Sequence, residues 1–144
     1  MALQSLWGQT LNSDQPVTSN LVTYQSTEIR FIWDEIVKPL ERAAKKGGYP
    51  VEDLYDGLVN AEYQLWTSQT NEIETVLVTA IQTDGATKFC LLLACGGKNI
   101  MACKDFLEEV EGWAKHKGCS EMRIYGRKGW ARLLDYETVM RKTL

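Results

Sequence analysis

Two glycines and a lysine stand where an apolar stretch gives way to a helical pattern, and a phosphate group can bind at such a junction. The run is Gly96-Gly97-Lys98-Asn99. A helix start has free N–H groups and a positive dipole end, and glycines let the backbone approach an anion closely. We therefore name Gly96, Gly97, Lys98 and Asn99 as candidate phosphate-binding residues. The alternative interpretation is a plain turn between a strand and a helix.

Arg127 and Trp130 form a second candidate site towards the C-terminal end. A guanidinium pairs well with a phosphate, and an indole can stack beside it. The same tryptophan, which follows Gly129, also suits the close packing of a short helix on a sheet. We keep Arg127 as a candidate cofactor-binding residue and expect Trp130 to serve packing.

No group of side chains has the spacing of a recognisable catalytic or metal site. Glu72, Glu74 and His116 could each act as a base, but nothing in their spacing separates them from surface residues. The four cysteines form no Cys-x-x-Cys pair, and His116 is the single histidine. The sequence therefore predicts reduced thiols and no zinc site, with Cys90 and Cys95 as small core residues. We assign no catalytic residue and no metal ligand.

The first elements that must position these residues follow from hydrophobic periodicity. Three-and-four spacing predicts a helix from a Thr27 N-cap to Gly47-Gly48, kinked or split near Pro39. A shorter helix should run from Pro50 to Asn60. Strands are predicted at 63–67, 74–83 and 87–95, and an Asp84-Gly85 turn should join the last two.

The second half of the chain predicts a helix closed by Gly118, a strand at 121–125, a short helix at 128–134 and a final strand at 137–144. The unit over 87–125 should be a right-handed parallel crossover. This order predicts an α+β domain with a mixed, mostly antiparallel sheet flanked by helices. The apolar phase predicts a core of Ile32, Ile36, Leu40, Leu54, Leu58, Val76, Val78, Phe89, Leu91, Leu93, Phe106, Val110 and Ile124.

Composition restricts the class of protein. A chain of 144 residues with 44% hydrophobic and 24% charged content is typical of one globular domain. No apolar run approaches the roughly 20 residues of a membrane span, so we expect a soluble, unsecreted protein with no membrane partner. The net charge is −3, yet residues 122–144 carry six basic and two acidic side chains. This basic end could bind a phosphate-bearing ligand, and the alternative is a basic surface that only contacts solvent. The overall acidity argues against sequence-specific nucleic-acid binding.

Residues 1–27 differ in composition from the rest of the chain. They contain fourteen Gln, Ser, Thr or Asn residues and one charged residue, and their apolar residues follow no clear period. Such a segment buries too little apolar surface to offset its own ordering entropy. We predict an N-terminal arm over 1–27 and a domain over 28–144, with the arm docked on this domain or on a partner.

The order of elements over 28–144 resembles the GNAT N-acetyltransferase fold. Within it, several stretches are similar to a small family of bacteriophage-encoded GNAT-like proteins, and the run Gly126 to Leu134 is the most specific. The stretches are Gly96-Gly97, Phe106-Leu-Glu-Glu-Val-Glu-Gly-Trp-Ala114, Gly118-Cys119 and Ile124-Tyr-Gly-Arg-Lys-Gly-Trp-Ala131. These proteins are commonly encoded among virion and morphogenesis genes, some of them in short-tailed phages (podoviruses). The resemblance implies synthesis in the host bacterial cytoplasm, location in the virion, and contacts with other phage virion proteins through the N-terminal arm.

In GNAT enzymes, the loop after the long central strand has a Gln/Arg-x-x-Gly-x-Gly/Ala pattern that holds the pyrophosphate of acetyl-CoA. A tyrosine in the helix before the last strand protonates the leaving thiolate. Here the stretch Cys95 to Ala102 lacks that pattern, and residues 128–134 include no tyrosine. The resemblance therefore implies a non-catalytic virion or virion-assembly component without a cofactor. The alternative is an active acetyl-CoA-dependent N-acetyltransferase on a small-molecule or protein amine.

Overall fold

The computed structural model describes residues 21–69, 71–97, 101–124 and 141–144. In this part of the chain, six strands form one sheet and three α-helices pack on it. The elements are β1 Leu21–Tyr24, α1 Ile29–Gly47, α2 Val51–Val59, β2 Gln64–Gln69, β3 Ile73–Asp84, β4 Thr87–Gly97, α3 Met101–His116, β5 Glu121–Ile124 and β6 Arg141–Thr143.

The strands lie in chain order across the sheet, from β1 to β6. Every neighbouring pair is antiparallel except β4 and β5, which are parallel and joined through α3. This confirms the predicted α+β class with a mixed, mostly antiparallel sheet. It also confirms the parallel unit over 87–125. The predicted short helix at 128–134 lies outside the described residues.

The edge strand β1 corrects the predicted extent of the N-terminal arm, which included residues 21–27. Val22 pairs with Thr67 of β2, whose hydroxyl donates a hydrogen bond to the Val22 carbonyl oxygen at 3.1 Å. A strand of four residues is too short to show a period, and its partner is 45 positions away in the chain. Residues 21–24 therefore belong to the sheet, and residues 1–20 lie outside the described residues.

The first helix begins later than predicted and is not split. A short 3₁₀ turn over Ser26–Glu28 precedes it, and the Glu28 carboxylate accepts a hydrogen bond from the Gln25 backbone N–H at 2.8 Å. Thr27 is therefore inside this turn and is not the N-cap. The helix runs through Pro39 to Gly47, because packing of its apolar side on the sheet stabilises it across the hydrogen bond that proline removes.

The turn between β3 and β4 differs by one residue from the predicted Asp84-Gly85 turn. Asp84 pairs with Thr87, so the two loop residues are Gly85 and Ala86. Gly85 has φ +63°, while Ala86 does not adopt a positive φ. Positive φ at the first loop position alone is the pattern of a type II′ turn, in which glycine takes that position. The Asp-Gly signal placed the hairpin correctly but assigned the wrong loop pair.

Two clusters of buried residues lie on opposite faces of the sheet. The α3-side core comprises Trp66, Leu77, Cys90, Leu92, Cys95, Leu107, Val110, Trp113, Ala114, Cys119, Met122 and Ile124. The α1-side core comprises Ile29, Ile36, Leu40, Leu54, Leu58, Leu65, Val76, Val78 and Ala94. Because helices cover both faces, strand β3 is buried without alternation from Thr75 to Ala80.

The predicted core is mostly confirmed. Buried are Ile36, Leu40, Leu54, Leu58, Val76, Val78, Phe89, Leu91, Val110 and Ile124, while Ile32 and Leu93 are half-buried. The surroundings of Phe106 lie outside the described residues. The prediction missed the large buried rings of Trp66 and Trp113, which contact each other edge-on at 5.1 Å. Within the described part of the chain, no helix has the length and apolar character needed to cross a membrane.

Candidate functional site

Gly96 lies at the end of β4, directly beneath helix α1. It pairs with Val76 of β3, and a Cβ added to it would be 2.5 Å from the Pro39 carbonyl oxygen. Real Cβ contacts essentially never come this close. Gly96 is therefore required by the approach of α1 to the sheet, and the space beside it is filled by the protein itself.

Gly97 is constrained by its backbone as well as by its neighbours. Its φ is +135°, a region that other residues rarely adopt, and an added Cβ would be 2.2 Å from the Glu74 carbonyl oxygen. It pairs with Thr75 of β3. Close packing against other parts of the protein therefore explains why both positions of the candidate phosphate loop are glycine. The side on which each lacks a Cβ faces protein.

The remaining candidate phosphate-binding residues cannot be placed beside these glycines. Lys98, Asn99 and Arg127 lie outside the described residues. Helix α3 begins at Met101, four residues after Gly97, so its first turn follows closely on the end of β4. The structure therefore confirms the strand-to-helix junction, and a phosphate site there stays a prediction.

Strand β4 contains a bulge that the sequence did not indicate. Val78 of β3 pairs with Ala94, and the next residue, Thr79, pairs with Leu92, so Leu93 has no partner on β3. The extra residue reverses the side-chain phase along β4. Before the bulge Leu92 faces the α3-side core, and after it Cys95 does.

A tyrosine from the α1–α2 connection reaches this bulge. The Tyr49 hydroxyl donates a hydrogen bond to the Leu93 carbonyl oxygen at 3.3 Å. Burial raises the pKa of Tyr49, and nearby Tyr63 raises it further. Tyr49 therefore stays protonated over a wider pH range than a free tyrosine and remains a donor to the bulge. Sequence reasoning sought a tyrosine at 128–134 and missed this one.

Two further glycines make room for this tyrosine pair. A Cβ on Gly47 would be 2.5 Å from the Tyr49 ring, and a Cβ on Gly57 would be 2.2 Å from the Tyr63 ring. The glycines around the α1–α2 connection are the sequence signal that could have identified this tyrosine pair. The contact of Tyr49 with Leu93 could not be found in this way, because the two residues are 44 positions apart.

Parallel pairing between β4 and β5 covers only the first half of β4. It runs from Phe89 with Glu121 to Leu92 with Ile124. From the bulge to Gly97, β4 extends beyond the described part of β5. The end of β4, the bulge and the start of α3 therefore lie together at one end of the sheet.

The three possible bases are not grouped at this end. Glu74 of β3 lies beside Gly97, and Glu72 is in the preceding turn. His116 is the last residue of α3, a helix of 16 residues. At about 1.5 Å per residue, His116 lies roughly 22 Å along the helix from Met101. His116 and the glycine pair therefore cannot form one site.

The described cysteines are core residues. Cys90, Cys95 and Cys119 are free and buried. Burial raises the pKa of the Cys90 thiol to about 12, with a smaller contribution from Cys119, and the hydrogen bond with Thr79 partly opposes it. A thiol with so high a pKa is a poor nucleophile at neutral pH. Among the residues that the structure describes, no group of three His, Cys, Asp or Glu side chains could hold a metal ion.

Comparison with known proteins gives fold matches only. No protein-family model matches the chain, and no curated protein sequence matches it. A predicted acetyltransferase with acetyl-CoA from Clostridium acetobutylicum has a TM-score of 0.60 and 11% identity, over 82% of this chain and 87% of that one.

Two other acetyltransferases give similar values. Ribosomal-protein-alanine N-acetyltransferase from Brucella melitensis biovar Abortus has a TM-score of 0.59 and 6% identity, over 82% of this chain and 86% of that one. A GNAT family acetyltransferase from Staphylococcus aureus has a TM-score of 0.55 and 15% identity, over 74% of this chain and 85% of that one. At such identities the likeness concerns architecture, and on that ground the chain has the GNAT acetyltransferase fold.

Proposed function

We propose that this chain is a bacteriophage-encoded GNAT-fold protein that acts, without catalysis, as a component of the virion or of its assembly. The observation that carries the proposal is at the end of β4. Gly96 and Gly97 lie where an acetyl-CoA loop would begin, yet their missing side chains accommodate Pro39 and Glu74. The chain keeps the architecture of this junction while its sequence lacks the spaced glycines of the family.

The position of β1 supports an assembly contact through the N-terminal segment. Strand β1 lies at the edge of the sheet and pairs only with β2 among the described strands. Leu21 pairs with Ser68, so the segment before Leu21 is attached to an ordered edge of the domain. A partner that held residues 1–20 would thereby hold the whole domain. The proposed partners are other virion proteins of the same phage.

Mass spectrometry of purified virions tests this function. We expect the full-length protein in virions in a fixed copy number, and we expect a chain reduced to residues 21–144 to be made in the host cell but missing from virions. The 144-residue chain with Phe31→Ser, a change at an exposed side chain of α1, is the control, and we expect it in virions in the same copy number as the unchanged protein. Absence of the full-length protein from virions and from assembly intermediates would refute the proposal.

An acetyl-CoA-dependent N-acetyltransferase is the second candidate function, and the fold favours it. The similar structures are acetyltransferases, and one of them was determined with acetyl-CoA. Calorimetric titration of the purified protein with acetyl-CoA separates the two functions. We expect no binding at millimolar ligand. Micromolar binding that Lys98→Ala and Arg127→Ala weaken, with turnover on amines, would establish the enzyme and refute the non-catalytic function.

A further inference from the structure

Strand β3 extends well beyond strand β2 at one end of the sheet. The first residue of β2, Gln64, pairs with Thr79, whereas β3 continues to Asp84. On its other side, β3 is paired with β4 as far as Asp84. Residues 80–84 of β3 therefore form a sheet edge that no described strand covers. We call these five residues the open edge.

The hairpin turn determines which backbone groups face outward. Asp84 and Thr87 flank a two-residue turn and form a hydrogen-bonded pair, so the backbone N–H and C=O of Asp84 point towards β4. Because these directions alternate along a strand, the backbone groups of Ile81 and Thr83 point the opposite way. None of the loop hydrogen bonds in the described chain reaches either residue. The open edge thus presents two N–H donors and two carbonyl acceptors.

The chain before β2 is held away from this edge by its own hydrogen bonds. After α2, Ala61 adopts φ +62°, and the backbone N–H groups of Glu62 and Tyr63 both donate to the Gly57 carbonyl oxygen, at 2.9 and 3.0 Å. The Tyr63 ring then packs where a Cβ on Gly57 would lie. The connection therefore folds back on α2, and β2 cannot begin any earlier along β3.

A solvent-open pocket of about 550 Å³ lies between this connection and the open edge. Its lining is formed by Ala61, Glu62, Tyr63, Gln64, Ala80, Ile81 and Gln82. The walls are mainly polar, with the exposed carboxylate of Glu62 and the amides of Gln64 and Gln82. The Asp84 carboxylate is 70% exposed at the far end, where Arg123 contacts it at 3.2 Å. Glu62 remains as a negative charge without an ion pair among the described residues.

We propose that the open edge binds an extended, positively charged peptide segment of a partner protein, which adds a strand beside β3. Main-chain hydrogen bonds to Ile81 and Thr83 would hold the segment, as in other cases of strand addition. Five residues of β3 span about 17 Å, enough for a strand of similar length. Alternate side chains of the peptide would face Ile81 on the α3 side, and a Lys or Arg would pair with Glu62.

Fluorescence polarisation tests the proposal with a labelled heptapeptide of alternating lysine and valine. We expect saturable binding, loss of at least tenfold in affinity when valine is replaced by proline in the peptide, and a similar loss for a heptapeptide of alternating glutamate and valine. Thr83→Pro should weaken binding at least tenfold, because it removes an outward N–H that the β3–β4 ladder does not use. Glu62→Gln should weaken it severalfold, while Glu108→Gln on α3, with the same charge change, should not.

A peptide with backbone N-methyl groups keeps the test valid if Thr83→Pro fails to fold. Methylation of the groups that face β3 should abolish binding to the unchanged protein. Binding that survives both this methylation and Thr83→Pro would overturn the proposal, as would absence of binding at millimolar peptide. A second copy of the chain could instead cover the open edge. Sedimentation would then show a dimer that Thr83→Pro dissociates, and this result would also overturn the peptide proposal.

Discussion

The carbonyl oxygen of Pro39 lies 2.5 Å from the point that a Cβ on Gly96 would occupy. This relationship joins a helix and a strand that are far apart in the sequence, and it gives both residues a role. Helix α1 crosses the end of β4 here, and only glycine leaves room for the helix backbone. A glycine that suggests ligand binding from sequence is, in the fold, a contact between two elements.

Gly96→Ala should lower the free energy of unfolding by roughly 1–3 kcal/mol or more, because the helix backbone must move to admit a methyl group. Gly47→Ala is the matched control. There the added Cβ would meet the Tyr49 ring, a side chain that can move at the cost of its hydrogen bond to Leu93, and the helix gains from alanine, so we expect a smaller loss than at Gly96. Chemical denaturation of both variants measures the difference. Equal, small effects would show that α1 does not press on Gly96.

The two buried tryptophans should respond differently to replacement by phenylalanine. The Trp66 indole N–H donates to the Thr79 hydroxyl at 2.9 Å, whereas the Trp113 indole N–H has no hydrogen-bond partner in the described structure. Both rings are almost completely buried. Trp66→Phe should therefore be more destabilising than Trp113→Phe by about 1–3 kcal/mol, since only the first loses a hydrogen bond. Denaturant melts of both variants provide the comparison, and the reverse order would contradict it.

The order of elements could be predicted because helix periodicity and turn residues act locally. Features that depend on tertiary contacts could not be predicted from the sequence. The β4 bulge at Leu93 reverses the side-chain phase, and no local pattern marks it. Helices on both faces bury Thr75 to Ala80 continuously, whereas the predicted core included only Val76 and Val78 from this strand. At the candidate site, Gly96 and Gly97 were found from sequence, but their partners Pro39 and Glu74 come from other elements of the fold.

Two truncated chains should separate the role of β1 from that of the preceding segment. A chain of residues 28–144 lacks β1, which leaves the buried Thr67 hydroxyl without its Val22 acceptor and exposes the edge of β2. The lost hydrogen bond alone should lower stability by about 0.5–1.5 kcal/mol relative to a chain of residues 21–144, because the Thr67 hydroxyl can bond to water once this edge is open. Thermal melting of the two chains measures this. Identical melting temperatures would show that residues 21–27 are dispensable, as the original arm boundary implied.

Ala61 offers a stabilising substitution. It is the only described residue other than glycine with a positive φ, +62°, and it follows Asn60, the C-cap of helix α2. Left-handed backbone costs roughly 1–2 kcal/mol for a residue with a Cβ, and glycine avoids this while losing more entropy on folding. Ala61→Gly should therefore raise the free energy of unfolding by about 0.5–1 kcal/mol. Ala86→Gly, at a loop position without positive φ, should not, and denaturant midpoints of both variants check the contrast.

Stability should fall at alkaline pH because of a buried thiol. Burial, with a smaller effect of Cys119, raises the pKa of Cys90 from 9.0 to about 12 in the folded protein. Between these two values the unfolded chain releases the thiol proton and the folded protein keeps it. The unfolded state then binds fewer protons, so the free energy of unfolding decreases as pH rises, by roughly 1.4 kcal/mol per pH unit.

Below pH 9 the Cys90 thiol keeps its proton in both the folded and the unfolded state, so it no longer makes the free energy of unfolding depend on pH. Cys90→Ala removes the titrating group, so its stability should depend less steeply on pH between 9 and 12 than that of the unchanged protein. The pKa of Tyr49 is also raised by burial, and Tyr49 contributes to the alkaline loss in both proteins. The difference between their pH profiles therefore isolates Cys90. Parallel profiles from urea denaturation across this range would show that the Cys90 thiol ionises as readily in the folded state as in the unfolded one.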